Sequence, residues 1–113
     1  MPRNSKLYVR DVLLSCAAIQ RHTHGLTFEQ FSASSVTKEA VLWNLQVIGE
    51  AVKNIPPELL GKAKGIPWSE IKGFRDVIVH GYFSVDEEIL WDVVTTKIGP
   101  LKQATQSLLD SLE

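Results

Sequence analysis

Residues 35–55 read SVTKEAVLWNLQVIGEAVKNI, and this stretch decides the class of fold. Apolar residues recur in it at steps of four, three, four and three, which is the spacing of one face of an α-helix. These residues are Val41, Leu45, Ile48, Val52 and Ile55. Serines just before the stretch offer helix caps, and Pro56 and Pro57 end the helix because proline lacks an amide donor. The stretch therefore predicts a long amphipathic helix that packs against other helices.

The same periodicity predicts helices on both sides of this stretch. A first helix covers residues 5–21, and its apolar face holds Val9, Val12, Leu13, Cys16 and Ala17. Gly25 stops this helix, and a short helical turn is expected at residues 27–31. After a loop, Pro67 suits the first turn of a third long helix, whose core-facing residues are Ile71, Phe74 and Ile78.

A fourth helix is predicted from Ser84, because Ser84-x-x-Glu87 matches a capping box. Its apolar residues are Ile89, Val93 and Val94. Gly99 and Pro100 are expected to break or kink it, which leaves a bent continuation or a fifth short helix. No stretch alternates with the period of a β-strand, so the predicted fold class is all-α: an antiparallel bundle of four to five helices.

Length and composition predict one helical domain over residues 1–113. The chain has 44% hydrophobic and 22% charged residues, which is typical of a soluble globular protein and excludes a large multidomain enzyme. Its longest apolar runs are four residues, so no membrane-spanning helix is expected. The single cysteine, Cys16, cannot close an intrachain disulfide, which favours a reducing cytoplasm.

Charge is nearly balanced, with 12 basic and 13 acidic residues, which argues against a surface that binds nucleic acid everywhere. Residues 62–75 are locally basic and contain Lys62, Lys64, Lys72 and Arg75 against one acid, Glu70. This segment is either a local phosphate-binding surface or a solvated basic loop, and charge alone favours the loop.

One short stretch concentrates residues that can carry chemistry: residues 73–83, GFRDVIVHGYF, contain Arg75, Asp76, His80 and Tyr82. On a helix Arg75 and Tyr82 lie about 20° apart, whereas His80 lies about 140° from Arg75 and about 7.5 Å along the axis. The set does not share one face. Either the helix ends near His80, as Gly81 permits, or a second copy of the chain completes the site.

An arginine and a histidine together suit RNA cleavage. A histidine can take the proton of a ribose 2′-OH, and an arginine can stabilise the charge that develops on the attacked phosphate. This chemistry needs no metal, and the only candidate metal ligands, His22 and His24, are interpreted as exposed turn residues. A purely structural interpretation remains open, in which Arg75 pairs with Asp76 or Glu70 and His80 ends a helix.

The pattern Arg75-x4-His80-x-Tyr82 resembles the RX4HXY signature of the HepT-like branch of HEPN-domain proteins. Three further segments are similar to landmarks of that family: the IGEA of residues 48–51, the IPW of residues 66–68, and the YFSVD of residues 82–86 followed by Trp91. In order and spacing the resemblance covers the whole chain.

The resemblance implies a ribonuclease toxin of a toxin–antitoxin pair that acts as a homodimer. It makes Arg75 and His80 catalytic and gives Asp76 a supporting role. It further implies a minimal nucleotidyltransferase antitoxin (MntA-like) that transfers AMP from ATP to Tyr82, so that an anionic group blocks the site. The enzyme would need no cofactor. The rival interpretation is a non-catalytic dimeric module that scaffolds a nucleotidyltransferase or binds a nucleotide.

Three other residue types have structural interpretations. Gly49 is expected to permit close approach of a neighbouring helix, while Glu50 either orients Arg75 or is exposed. Trp68 and Trp91 are expected to anchor the core or a dimer rather than to stack on RNA bases.

Overall fold

The computed structural model describes residues 4–81 and 84–112. Their elements are α1 (Ser5–Thr23), α2 (Phe28–Ala33), α3 (Ser35–Lys53), α4 (Pro57–Leu60), α5 (Trp68–Gly81), α6 (Glu87–Asp92), a π-helical turn (Val93–Lys97) and α7 (Ile98–Ser111). The fold is an all-α bundle, which confirms the predicted class. Tyr82, the predicted modification site, lies outside the described residues.

Helix α3 is the centre of the bundle and packs against α1 on one side and α5 on another, while α1 also contacts α7. Its N-cap is Ser34, whose hydroxyl accepts a hydrogen bond from the backbone amide of Thr37 at 3.2 Å. The five residues of the predicted stripe are all buried, from Val41 to Ile55. The amphipathic period therefore identified the face around which the other helices assemble.

Two of the tryptophans belong to the core. Trp91 lies against Phe31 and Phe28, with ring centroids 5.1 and 6.2 Å away, and joins α6 to α2. The indole N–H of Trp68 donates to the carbonyl oxygen of Leu60 at 3.0 Å and ties the start of α5 to α4. Both contacts agree with the structural interpretation of these residues.

The predicted capping box of the fourth helix is wrong. The N-cap is Asp86, whose carboxylate accepts the amides of Glu88 at 2.8 Å and Ile89 at 3.3 Å. Ser84 instead donates its hydroxyl to the carbonyl oxygen of Gly81. The aspartate carboxylate reaches two amides at once, which a serine two residues earlier does not, so the helix begins at Glu87.

Glu87, the other half of that predicted box, links three helices. Its carboxylate accepts hydrogen bonds from Lys38, at 2.7 Å, and from Ser32. The hydrogen bond from Lys38, and to a smaller extent the one from Ser32, holds the pKa of the Glu87 carboxyl below its usual range.

The buried residue of α6 is Leu90, one position after the predicted Ile89. Leu90 is buried at 1% exposure, whereas the predicted core residue Ile89 is 52% exposed. The amide of Ile89 is held by the Asp86 cap, which sets the rotation of the first turn and directs the next side chain inward.

The predicted break at Gly99 and Pro100 is displaced. The helix continues through both residues, and the irregularity lies one turn earlier, in the π-helical turn, where the amide of Ile98 donates to the carbonyl oxygen of Val93. A proline removes an α-helical donor, and the wider turn before it accommodates that loss. The final segment therefore continues the helix and is not a separate short one. None of the described helices has the length and hydropathy that crossing a membrane requires.

Candidate active site

Arg75 is seated directly on α3 at Gly49. A Cβ atom added to Gly49 would lie 2.2 Å from the Cβ of Arg75 and 2.6 Å from its Cγ, far inside contact distance. Glycine is therefore required for α5 to approach α3 this closely. The predicted close approach at Gly49 is confirmed, and the residue that approaches is the candidate catalytic arginine.

Two carboxylates hold the guanidinium of Arg75. Its Nη2 lies 3.0 Å from a carboxylate oxygen of Glu50, and its Nη1 lies 3.2 Å from one of Asp76. Glu70, a partner that the sequence left open, makes no ion pair with it. The two alternatives predicted for Glu50, orienting Arg75 and being exposed, are both true, because its side chain is 52% exposed and contacts Arg75.

These ion pairs are exposed and contribute little to stability. The Arg75 side chain is 26% exposed and both carboxylates are more exposed than that, so each pair contributes only about 0.2–1 kcal/mol. Within the described part of the chain, Arg75 Nε is also the single buried side-chain polar atom without a hydrogen-bond partner. The guanidinium is thus positioned by the fold, its two Nη atoms have only weak, exposed carboxylate partners, and its buried Nε–H is unpaired.

His80 has the opposite environment. Helix α5 ends at Gly81, one residue beyond His80, so the predicted helix end near His80 is confirmed. Its side chain is exposed, and its imidazole makes no hydrogen bond to any residue that the structure describes. At about 100° per residue it faces about 140° away from Arg75. A single chain therefore does not bring the two candidate catalytic groups together.

Asp76 lies between the two. It contacts Arg75 through its carboxylate and lies four residues before His80, on the same exposed face of α5. That face also includes Gly73 and Val77 at helical spacing, and Val77 is more than half exposed. The outer face of α5 thus combines an apolar residue, a carboxylate and an imidazole.

The other reactive side chains are not arranged for chemistry. His22 and His24 are both exposed at the end of α1, and no cluster of three or more potential metal ligands occurs in residues 4–81 and 84–112. The thiol of Cys16 is buried, and burial raises its pKa to about 12 even though Lys102 opposes the shift. It is therefore not a nucleophile at neutral pH.

One residue near the site was not predicted from the sequence. Trp43 was not singled out, yet its side chain is 62% exposed and it lines a pocket together with Arg75. The signal was present in α3, because Trp43, Gln46, Val47 and Glu50 share a face at steps of three, one and three.

Comparison with known proteins agrees with this architecture. Residues 12–108 match the family model described as Ribonuclease HepT-like. The chain belongs to this family of ribonucleases, and the helical bundle is its fold.

Several curated relatives align over most of their length. A "Probable ribonuclease HepT" from Thermococcus cleftensis is 37% identical over 96% of this chain and 98% of the relative. A protein named "Putative RNase" from Caldanaerobacter subterraneus subsp. tengcongensis is 35% identical over 90% of this chain and 91% of its own. A further one so named, from Methanocaldococcus jannaschii, is 36% identical over 87% of this chain and 82% of its own. No solved structure matches the chain with significance.

Proposed function

We propose that the protein is a metal-independent endoribonuclease, the toxin of a toxin–antitoxin pair, that acts as a homodimer. His80 is the general acid/base, Arg75 binds the scissile phosphate and Asp76 supports both. The relatives named ribonuclease or RNase support the class of activity. The observation that carries the proposal is the guanidinium of Arg75, which the fold positions at Gly49 and whose side chain is partly exposed, with only exposed carboxylates as ion-pair partners.

The reaction follows from the chemistry of these side chains. The imidazole of His80 takes the proton of a ribose 2′-OH, and the oxygen attacks the adjacent phosphorus. The bond from phosphorus to the 5′-oxygen breaks, and that oxygen takes a proton from water as it leaves. Arg75 stabilises the negative charge on the pentavalent phosphate. The products are a 2′,3′-cyclic phosphate and a 5′-hydroxyl, and no step requires a metal.

The homodimer is proposed because Arg75 and His80 of one chain face apart. A two-fold axis beside the edge of α5 that lies between the two directions, where Asp76 and Val79 lie, would bring His80 of one subunit towards Arg75 of the other. Val79 is an exposed apolar residue on that edge and supplies surface for a subunit contact.

Regulation by a minimal nucleotidyltransferase antitoxin is the second part of the proposal. The partner transfers AMP from ATP to the hydroxyl of Tyr82 and releases pyrophosphate. Tyr82 is two residues beyond His80, so the added phosphate would compete with RNA for Arg75 and repel the RNA backbone. The support is the family to which the chain belongs. Intact-mass analysis of co-expressed protein should show AMP additions that Tyr82→Phe abolishes, and an unmodified wild-type chain would contradict this part.

RNA cleavage in EDTA tests the activity. Purified wild-type protein should cut RNA and leave cyclic phosphate ends, while His80→Ala and Arg75→Ala should be inactive although folded. Equal cleavage by all three proteins would contradict the site. If folded, unmodified wild-type dimer does not cut any RNA, the non-catalytic scaffold is the better account.

A further inference from the structure

The outward face of α3 ends beside Arg75 and encloses a shallow pocket of about 250 Å³. Four residues of α3 form a strip along this face at helical spacing: Trp43, Gln46, Val47 and Glu50. The remaining lining residues are Tyr8, Asp11, Ala51 and Arg75. An aromatic ring, an amide and a charged pair thus lie in one row that leads to the candidate phosphate-binding group.

The exposure of Trp43 is not explained by the fold. Trp68 and Trp91 are packed against the core, whereas 62% of Trp43 is exposed, and its ring makes no aromatic contact within the described residues. An indole contributes most to stability when its large apolar surface is buried. In Trp43 this apolar surface is exposed beside a pocket. We therefore expect it to contribute by contacting a bound molecule rather than the core.

We propose that this pocket is a nucleobase subsite, in which Trp43 stacks on an unpaired base next to the scissile phosphate held by Arg75. The inference rests on the proposed ribonuclease function and assigns its substrate as single-stranded RNA. Unpaired bases are bound by stacking on aromatic rings and by hydrogen bonds to their edges. Gln46 makes no hydrogen bond within the described part of the chain, and its amide offers both a donor and an acceptor to a base edge.

The size and charge of the pocket favour a base over a second copy of this chain. Its volume is below the roughly 300–1,000 Å³ of typical small-molecule sites, which suits one planar ring system. Asp11, Glu50 and Arg75 all line it, whereas the centres of subunit interfaces are depleted of charged residues. The pocket also lies on the Arg75 side of α5, about 140° from the direction of His80.

The test compares three variants in RNA cleavage and in binding of a 2′-O-methyl oligonucleotide, which lacks the attacking hydroxyl. Trp43→Ala removes the platform and Trp43→Phe keeps an aromatic ring. Val36→Ala is the matched control, because Val36 is also an exposed apolar residue of α3 but does not line the pocket. Oligomer mass is measured for every variant.

Trp43→Ala should raise KM about tenfold with kcat nearly unchanged, because one stacked base is lost. Trp43→Phe should retain most of the affinity, and Val36→Ala should equal wild type. The oligonucleotide should quench tryptophan fluorescence in wild type, and most of this quenching should be lost in Trp43→Phe while binding persists.

Two results would contradict the subsite without contradicting the ribonuclease function. One is an unchanged KM in Trp43→Ala. The other is conversion of the dimer to a monomer by Trp43→Ala, which would show that this face is a subunit interface. If wild type does not cut RNA but Trp43-dependent quenching remains, the subsite is supported and the proposed catalysis fails. Absence of both cleavage and quenching overturns the two together.

Discussion

The two sides of α5 differ in how their polar residues are held. On the inner side Arg75 rests on Gly49 and contacts Glu50, so its position follows from the packing of α5 on α3. On the outer side His80 is exposed and has no hydrogen-bond partner in the described residues. The comparison teaches that one chain holds the proposed phosphate-binding group in place, while the position of the proposed acid/base group depends on what covers the outer face.

The largest expected effect concerns the outer side. His80→Ala should lower kcat by about 10²- to 10⁴-fold, the usual contribution of a general acid/base. Its free energy of unfolding should change by no more than about 0.5 kcal/mol, because the side chain is exposed. Cleavage kinetics and urea unfolding measure the two quantities. A large loss of stability without loss of kcat would contradict the assignment of His80 as an exposed acid/base group and would give it a structural role.

Gly49→Ala tests the inner side and should affect stability and activity together. The added methyl group overlaps the first side-chain atoms of Arg75, so α5 must move away from α3. Overpacking of this kind costs about 1–3 kcal/mol, and displacement of Arg75 should lower kcat/KM by roughly a hundredfold.

Gly99→Ala is the control for this substitution. Nothing lies within 4 Å of a Cβ at Gly99, so helix propensity alone should make that variant as stable as wild type or more stable. Wild-type activity in Gly49→Ala would show that the close approach is not needed.

Glu50 should have a smaller, positioning effect on the same inner side. Glu50→Ala removes one of the two carboxylates that orient the guanidinium and should lower kcat roughly tenfold. Glu50→Gln keeps an acceptor and should recover most of that loss. If both variants were equally impaired, the charge of Glu50 rather than its hydrogen bond would be what matters.

The smallest effect is expected at Glu87, which separates stability from activity. Its pKa is lowered in the folded protein by the hydrogen bonds from Lys38 and Ser32, so its stabilising contribution is present above the unfolded pKa. That contribution is lost as pH falls through the folded pKa, below 4.5.

Wild type should therefore be more stable than Glu87→Gln at neutral pH, and the difference should shrink in acid. Unfolding free energies across pH measure it, and kcat should be equal in the two proteins. A difference that grew as the pH fell would contradict the sign of the shift.

The long elements were predictable because their signals are local. The apolar period of α3 identified its buried face, and Gly49 within that period indicated a close helix contact. The cap of α6 was missed because Asp86 and Ser84 compete for one role, and Glu87 bonds instead to Lys38, a residue distant in sequence. Local pattern carries no information about such a partner.

The candidate site was predictable only in part for the same reason. Helical angles alone indicated that Arg75 and His80 diverge, and the structure agrees. Periodicity does not specify how α5 crosses α3. The crossing geometry determines that Arg75, and not another residue of α5, rests on Gly49. Trp43 escaped notice because its exposure is a property of the packed bundle rather than of its own helix.

Mixing two inactive variants tests the central claim most directly. Arg75→Ala and His80→Ala subunits are purified, mixed in equal amounts, unfolded and refolded together. If each site takes Arg75 from one subunit and His80 from the other, half of the dimers are mixed and each has one intact site, so about a quarter of wild-type cleavage should return. No recovery, in a sample shown by mass to contain the mixed dimer, would contradict the shared site.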